Sequence, residues 1–133
     1  MPHTNALVYE YHHIGIPTNG VKANERYSPK FKMFTADAEG SRFRVQWHRF
    51  EDESPLHPLI KTLPHVAFKV SDLDGALEER RILLQPHSPF PGYRVAMIED
   101  GGVPVEFVET TLSDEEIWSL ARRQSDMYPE QAA

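Results

Sequence analysis

The sequence predicts an α+β domain made of two similar halves, each with a strand, a short helix and further strands. Each half opens on a β run that begins with histidine, HIGI at residues 13–16 and HVAF at residues 65–68. Each half closes on a strand that carries an oxygen-bearing side chain between apolar neighbours, Gln46 in the first and Glu106 in the second. A glycine-containing turn precedes each closing strand. The agreement in order, turn and donor position indicates an internal repeat.

Length, charge and hydropathy favour a small cytoplasmic protein with a small-molecule substrate. A chain of 133 residues has the size of one domain. Its first ten residues show no signal-peptide pattern, and no apolar segment has membrane-spanning length. The net charge is −6 and the basic residues are scattered, whereas nucleic-acid binding needs a concentrated positive stripe. We therefore expect neither a membrane nor a nucleic acid as partner.

The absence of cysteine restricts the chemistry of any site in this chain. Disulfides, thiolate metal sites and cysteine nucleophiles are excluded. Histidine, aspartate, glutamate and glutamine remain as candidate ligands of a metal ion.

Alternation of apolar and polar residues, with turn and breaker residues between the runs, predicts the elements of both halves. A stretch with three prolines, residues 51–64, is predicted to link the halves. In the first half we expect strand 12–17, helix 21–27, and strands 30–35 and 41–50. In the second we expect strand 65–70, a helix from Ser71 to about Arg81, a loop or edge strand up to Gly92, and strands 94–99 and 103–109. A capping box at residues 113–116 predicts a C-terminal helix to about Met127.

Four candidate donors share one face of the predicted sheet. Because side chains on a strand alternate between faces, the donor in each of four strands lies opposite the clearest apolar stripe. Helices packed on the apolar face would leave these donors in a concave, partly polar cavity, where ligand sites form. The four donors are His13, Gln46, His65 and Glu106.

Other histidines fit this pattern less well. Strand alternation predicts that His12 points toward the apolar face. Three further histidines fall in predicted loops and are expected at the surface: His3, His57 and His87. Strand alternation also places His48 and Lys69 on the face of the cavity. They are either proton carriers in the reaction or residues at the rim of the cavity.

At these residues the chain resembles the vicinal oxygen chelate superfamily, which includes glyoxalase I, methylmalonyl-CoA epimerase, extradiol dioxygenases and bleomycin-resistance proteins. The segments that carry the resemblance are HIGI at 13–16, PHVAFKV at 64–70 and PVEF at 104–107. The epimerase branch is the most similar, because Gln46 falls where those enzymes carry a metal-binding glutamine. The first helix is shorter than in that branch, and no equivalent of the epimerase's second catalytic carboxylate is evident.

The resemblance implies one glyoxalase-like domain over residues 11–110, with paired βαβββ modules near 11–53 and 62–110 that form a curved mixed sheet. Residues 111–133 would form the C-terminal helix and tail. Within each module the first and last strands are adjacent, which brings His13 beside Gln46 and His65 beside Glu106. Association into a homodimer is expected, because the short first helix leaves the convex face thinly covered.

The four donors would hold a divalent ion such as Zn, Ni, Co, Mn or Fe. Such an ion binds two neighbouring substrate oxygens and stabilises an enolate, which suits an isomerase, epimerase or lyase. Glu106, His48 and Lys69 are the candidate catalytic proton carriers.

Two alternatives use the same scaffold. If His13, His65 and Glu106 alone bind the ion, they form the two-histidine, one-carboxylate set of non-haem Fe(II) oxygenases, which suggests an extradiol-type dioxygenase. The other alternative is a non-catalytic small-molecule binding or resistance protein with aromatic cavity walls, to which Phe31, Phe90 and Tyr93 would contribute.

Overall fold

The computed structural model describes residues 7–117 and shows one mixed sheet of eight strands with two short helices. The elements in chain order are β1 (Tyr9–Pro17), β2 (Arg26–Ser28), β3 (Met33–Asp37), β4 (Val45–Phe50), α1 (Pro58–Thr62), β5 (His65–Val70), α2 (Leu73–Leu77), β6 (Arg81–Phe90), β7 (Tyr93–Asp100) and β8 (Val103–Thr110).

The sheet has the order β2-β3-β4-β1-β5-β8-β7-β6, which places the two halves side by side. In each half the first and last strands are adjacent and parallel, β1 with β4 and β5 with β8. The remaining pairs are antiparallel, including the β1–β5 pair that joins the halves. The predicted α+β fold with a curved mixed sheet is confirmed, as is the adjacency of first and last strands.

The predicted helix over residues 21–27 is wrong. Residues 21–25 form no regular element, and β2 begins at Arg26 and pairs with β3. Tertiary contacts outweigh local helix propensity here. Arg26 forms an ion pair with Asp37 at 2.7 Å, and the Tyr27 ring packs on Phe34 with centroids 4.8 Å apart. The first half therefore lacks the helix of its predicted βαβββ order.

In the second half the helix is shorter than predicted and the proline-rich stretch is an edge strand. Helix α2 ends at Leu77, and Glu79 adopts a positive φ of 59° that the helix cannot continue through. Ser71, the expected cap, instead accepts a hydrogen bond from the Val8 amide at 3.0 Å. Strand β6 lies at the sheet edge and its register shifts three times, as prolines in an edge strand permit.

The predicted linker contains helix α1, which was not expected. Pro58 occupies the first turn, where its missing N–H costs no hydrogen bond. The ring nitrogen Nδ1 of His57 accepts from the Leu59 amide at 3.0 Å and caps the helix, so His57 has a structural role beyond the surface position predicted for it.

The capping box at the C-terminus is confirmed. The Ser113 hydroxyl accepts from the Glu116 amide at 3.1 Å, and the Glu116 carboxylate accepts from the Ser113 amide at 2.9 Å. Helical residues 114–117 follow, and the rest of the predicted helix lies outside the described residues, as does His3. Within residues 7–117 no helix is both long and apolar enough to span a membrane.

Both faces of the sheet bury apolar side chains. On one face α2 inserts Leu73 and Ala76 against Ala96, Ile98 and Phe107. The opposite face, which carries His13 and His65, holds two further clusters around Val95 and Met97 and encloses a cavity.

Truncation of Leu73 should loosen α2 from the sheet. The side chain is 0% exposed, so Leu73→Ala should lower the free energy of unfolding by about 2–5 kcal/mol through lost burial and the cavity left behind. Val103→Ala, at a position that is 47% exposed, is the control and should change it by no more than about 0.5 kcal/mol. Urea denaturation measures both, and equal effects would contradict this account of α2.

Candidate metal centre

Three central strands bring three of the predicted donors together. Ala67 on β5 pairs with His13 on β1 and with Glu106 on β8. Side chains at paired positions point to the same face, so His13 and Glu106 flank the small methyl group of Ala67. His65, two residues before Ala67, projects on that same face. The repeat thus converges on the centre of the sheet, as predicted.

The donor atoms of this group lie within reach of one ion. The Glu106 Oε1 atom is 3.3 Å from His13 Nε2 and 3.0 Å from His65 Nε2. One donor atom from each of the three residues lies within 4.8 Å of the other two. The imidazole rings of His13 and His65 are nearly perpendicular, with an interplanar angle of 83°, so both nitrogens face the carboxylate without the rings colliding.

The electrostatics of Glu106 depend on the two histidines. Burial alone would raise the pKa of this carboxyl, but the charge and hydrogen bonds of His13 and His65 outweigh burial and hold its pKa well below the usual range. A largely buried carboxylate needs hydrogen-bonding or positive partners, and the Nε2 atoms of His13 and His65 lie 3.3 and 3.0 Å from its Oε1 atom.

The residues present fit a divalent ion. Metals bind the unprotonated nitrogen of imidazole and the ionised carboxylate, so one cation at this point would be bound by both rings and would offset the charge of the carboxylate. Two imidazole nitrogens and a carboxylate oxygen suit first-row transition metals. His13, His65 and Glu106 are therefore the residues that would hold it.

Gln46 lines the same cavity, and its side chain contacts Asp37. It pairs with Gly15 on β1 and with Asp37 on β3, and its amide nitrogen donates to Asp37 Oδ1 at 3.1 Å. Arg26 in turn anchors Asp37. This chain of contacts fixes the amide plane, with the carbonyl oxygen on the side away from Asp37.

His48 lines the cavity beside the three donors. Its Nδ1 lies 3.0 Å from Thr35 Oγ1, and its ring stacks on His65 with an interplanar angle of 18°. Its Nε2 is buried and has no hydrogen-bond partner among the described residues. Burial lowers the pKa of His48 to about 3, and the neighbouring His65 acts in the same direction, so the ring is neutral near pH 7.

His12 supports His13, which strand parity did not predict. The register between β1 and β5 shifts between Tyr11 and His13, so one extra residue is inserted there and simple alternation fails. The Nδ1 atoms of His12 and His13 lie 2.8 Å apart, and one donates to the other. Burial and then the proximity of His13 lower the pKa of His12 to about 4. A neutral His12 can accept the Nδ1 proton of His13, as groups behind metal-binding histidines do.

Two other predicted positions differ from expectation. Lys69 lines a separate pocket with Glu10, Arg94 and Glu109, so the structure does not bring it to the three donors. His87 was expected at the surface, but it lies in β6, is half buried and lines the cavity. The centroid of its ring is 5.2 Å from that of the Phe31 ring. The edge strand was predicted only as an alternative to a loop, and this left the inward position of His87 unrecognised.

The cavity encloses about 80 Å³. Four histidines, Gln46 and Glu106 are among its polar lining residues. The rest of the wall is aromatic and aliphatic, and includes the predicted Phe31, Phe90 and Tyr93 together with Met33, Met97 and Ile117.

Gly15 leaves room for the histidine rings. A Cβ atom added there would lie 2.3 Å from His65 Cε1 and 2.7 Å from His48 Nε2, closer than packed atoms allow. Gly15→Ala should therefore displace one ring and lower the free energy of unfolding by about 1–3 kcal/mol. Histidine-ring NMR resonances and urea denaturation measure the two effects. Gly20→Ala, whose nearest contact would be 3.5 Å away, is the control. Unmoved ring resonances in Gly15→Ala would contradict this role.

Comparison with known proteins supports the fold. No family model matches the sequence, and no curated protein matches the chain. A hypothetical protein from Bacillus halodurans C-125 has a similar structure, with a TM-score of 0.60 and 18% identity over 82% of this chain and 98% of that one. Methylmalonyl-CoA epimerase from Mycobacterium tuberculosis has a TM-score of 0.58 and 20% identity over 90% of this chain and 97% of that one. The chain therefore has a glyoxalase-like fold.

Proposed function

We propose that this protein is a divalent-metal-dependent isomerase, epimerase or lyase that acts on a small molecule with two neighbouring oxygens through an enolate. The observation that carries this proposal is the convergence of His13, His65 and Glu106 on the wall of a cavity. The likeness to a solved methylmalonyl-CoA epimerase supports it at the level of the fold. Gln46 is proposed as the fourth ligand, through its carbonyl oxygen.

A bound divalent ion would orient two neighbouring substrate oxygens and stabilise the negative charge that develops when a proton leaves the adjacent carbon. The residues of the chain supply the remaining requirements. The apolar wall excludes water from the reacting carbon, and the three donors fix the position of the substrate oxygens relative to His48.

We assign the proton transfer to His48 in preference to the other two candidates. Its Nε2 faces no competing partner among the described residues, and Thr35 anchors the other ring nitrogen. When Nδ1–H donates to the Thr35 hydroxyl, Nε2 carries the lone pair that accepts a proton. Glu106 is occupied by both imidazoles, and Lys69 lines a different pocket.

Metal stoichiometry across four alanine variants tests the ligand set. His13→Ala, His65→Ala and Glu106→Ala should each abolish binding of Zn²⁺, since each removes one of three converging donors. Gln46→Ala should lower the affinity by about tenfold or more, as loss of a direct ligand costs at least what loss of a supporting group does. Metal analysis of untagged protein gives the stoichiometry, and circular dichroism checks folding.

His57→Ala is the matched control, because it removes a histidine that caps α1 and lies outside the donor group. Full metal retention in all four variants would contradict the proposed site. Retention in Gln46→Ala alone would favour a three-ligand site.

A three-ligand result would support a non-haem Fe(II) dioxygenase as the second candidate function. The observation in its favour is that His13, His65 and Glu106 form a two-histidine, one-carboxylate group by themselves. In that case Gln46 would contact the substrate or remain a bystander held by Asp37.

Hydrogen exchange in acetoin (3-hydroxybutan-2-one) tests the proton transfer. This hydroxyketone has two neighbouring oxygens, and its C3 hydrogen lies next to the carbonyl. The Zn²⁺-loaded protein should catalyse replacement of that hydrogen by deuterium in D₂O, which NMR follows. His48→Asn should slow the exchange by about 100-fold or more with metal content unchanged.

The control for that experiment is His57→Asn, which alters a histidine that caps α1 and does not line the cavity. An unchanged rate in His48→Asn would transfer the role to Glu106. Exchange no faster than with free Zn²⁺ would contradict the enolate chemistry and favour a binding or resistance protein.

The predicted partners remain proposals. The thin cover on the outer face of the first half supports a homodimer, since Ile14, Ile16 and Trp47 are only half buried there and no helix packs on them in the described chain. The domain limits, the cytoplasmic location and the absence of a nucleic-acid partner also remain predictions.

A further inference from the structure

We propose that the ligand of this site is a compact, uncharged molecule whose two neighbouring oxygens are joined to a hydrocarbon body, with no carboxylate or phosphate on that body. This inference rests on the proposed function and specifies its substrate class. The distribution of polarity and charge around the cavity supports it.

The wall of the cavity is mostly apolar. Its polar side chains are four histidines, Gln46, Tyr93 and Glu106. The other side chains offer hydrocarbon, sulfur or aromatic surface, among them Phe31, Met33, Phe50, Leu56, Ile60 and Met97. A ligand whose oxygens reach the donors must therefore place the rest of its body against apolar surface, which favours hydrocarbon.

No lysine or arginine among residues 7–117 lines this cavity. Three arginines of the first half are bound to carboxylates instead. Arg49 forms two hydrogen bonds with Glu25, and Arg26 and Arg44 form ion pairs with Asp37 and Asp114. A carboxylate or phosphate buried on the ligand body would have no cationic partner among residues 7–117, which is strongly unfavourable.

The size of the cavity limits the ligand further. One water needs on the order of 10–15 Å³ of such space, so the enclosed 80 Å³ holds a fragment of only a few heavy atoms. A nucleotide-bearing thioester would have to leave its charged part outside. The structure therefore favours a small hydrocarbon body beside the oxygens, as in a hydroxyketone, diketone or diol.

Three hydroxamates, which chelate metals through two neighbouring oxygens, test this inference. The probe 4-methylpentanohydroxamate ends in a branched pair of methyl groups. Succinyl monohydroxamate has the same shape, with a carboxylate in place of the branched end. Acetohydroxamate lacks the body altogether. Calorimetric titration into the Zn²⁺-loaded and the metal-free protein measures the affinity of each.

We expect the branched probe to bind the Zn²⁺-loaded protein at least about tenfold more tightly than either of the other two. Equal or tighter metal-dependent binding of succinyl monohydroxamate would overturn the uncharged body while leaving the proposed function standing. If no probe binds the Zn²⁺-loaded protein more tightly than the metal-free protein, the proposed function fails and this inference fails with it.

A charge-introducing variant gives an independent readout. Leu84 lines the cavity from edge strand β6, where a longer polar side chain is better tolerated than in the centre of the sheet. Leu84→Lys should shift the preference toward succinyl monohydroxamate by about tenfold or more, because the carboxylate then has a partner. Val103→Lys, at an exposed position, is the control and should leave the preference unchanged. Should Leu84→Lys not fold, the comparison of the three probes on the wild-type protein decides alone.

Discussion

The pairing of β5 with both β1 and β8 is the constraint on which the site depends. This strand runs antiparallel to β1 and parallel to β8, so one residue, Ala67, lies opposite both His13 and Glu106. A slip of one residue in either register would turn a donor to the other face, where the residues that pack under α2 lie. Burial on both faces therefore protects the register, and the register in turn holds the donors together.

Burial also explains why the donors need one another. Glu106 is largely buried, where an isolated carboxylate would be unstable, and the two imidazoles lie within 3.3 Å of it. His12 fixes His13 from behind, and Thr35 fixes His48. The rings therefore sit in defined orientations before any ligand binds, which reduces the ordering that binding would otherwise require.

The sequence predicted the features that repeat, because a repeat offers two copies of the same signal. The opening strands, the closing strands and the donors they carry were found in this way. The predictions that were wrong concern features that occur in one half only or that break the alternation of side chains along a strand. The extra residue at His12 disrupts strand parity, and residues 21–27 have helical composition but are held by contacts with β3. Such tertiary effects leave no local pattern in one sequence. His87 was missed because prolines made β6 indistinguishable from a loop.

The residues that would bind the ion and the residues that would select the substrate come from different parts of the fold. The donors come from the opening and closing strands of the halves, whereas the cavity wall also draws on parts that differ between the halves. These parts are α1, the C-terminal turn at Ile117 and the irregular edge strand β6, whose counterpart β2 has only three residues. Changes in these parts would alter the size and charge of the cavity without moving His13, His65 or Glu106. The same fold can therefore keep one ion-binding arrangement and act on different small molecules. The fold alone does not identify the substrate. The largely apolar wall of this cavity, which holds no lysine or arginine from residues 7–117, restricts the class of substrate further.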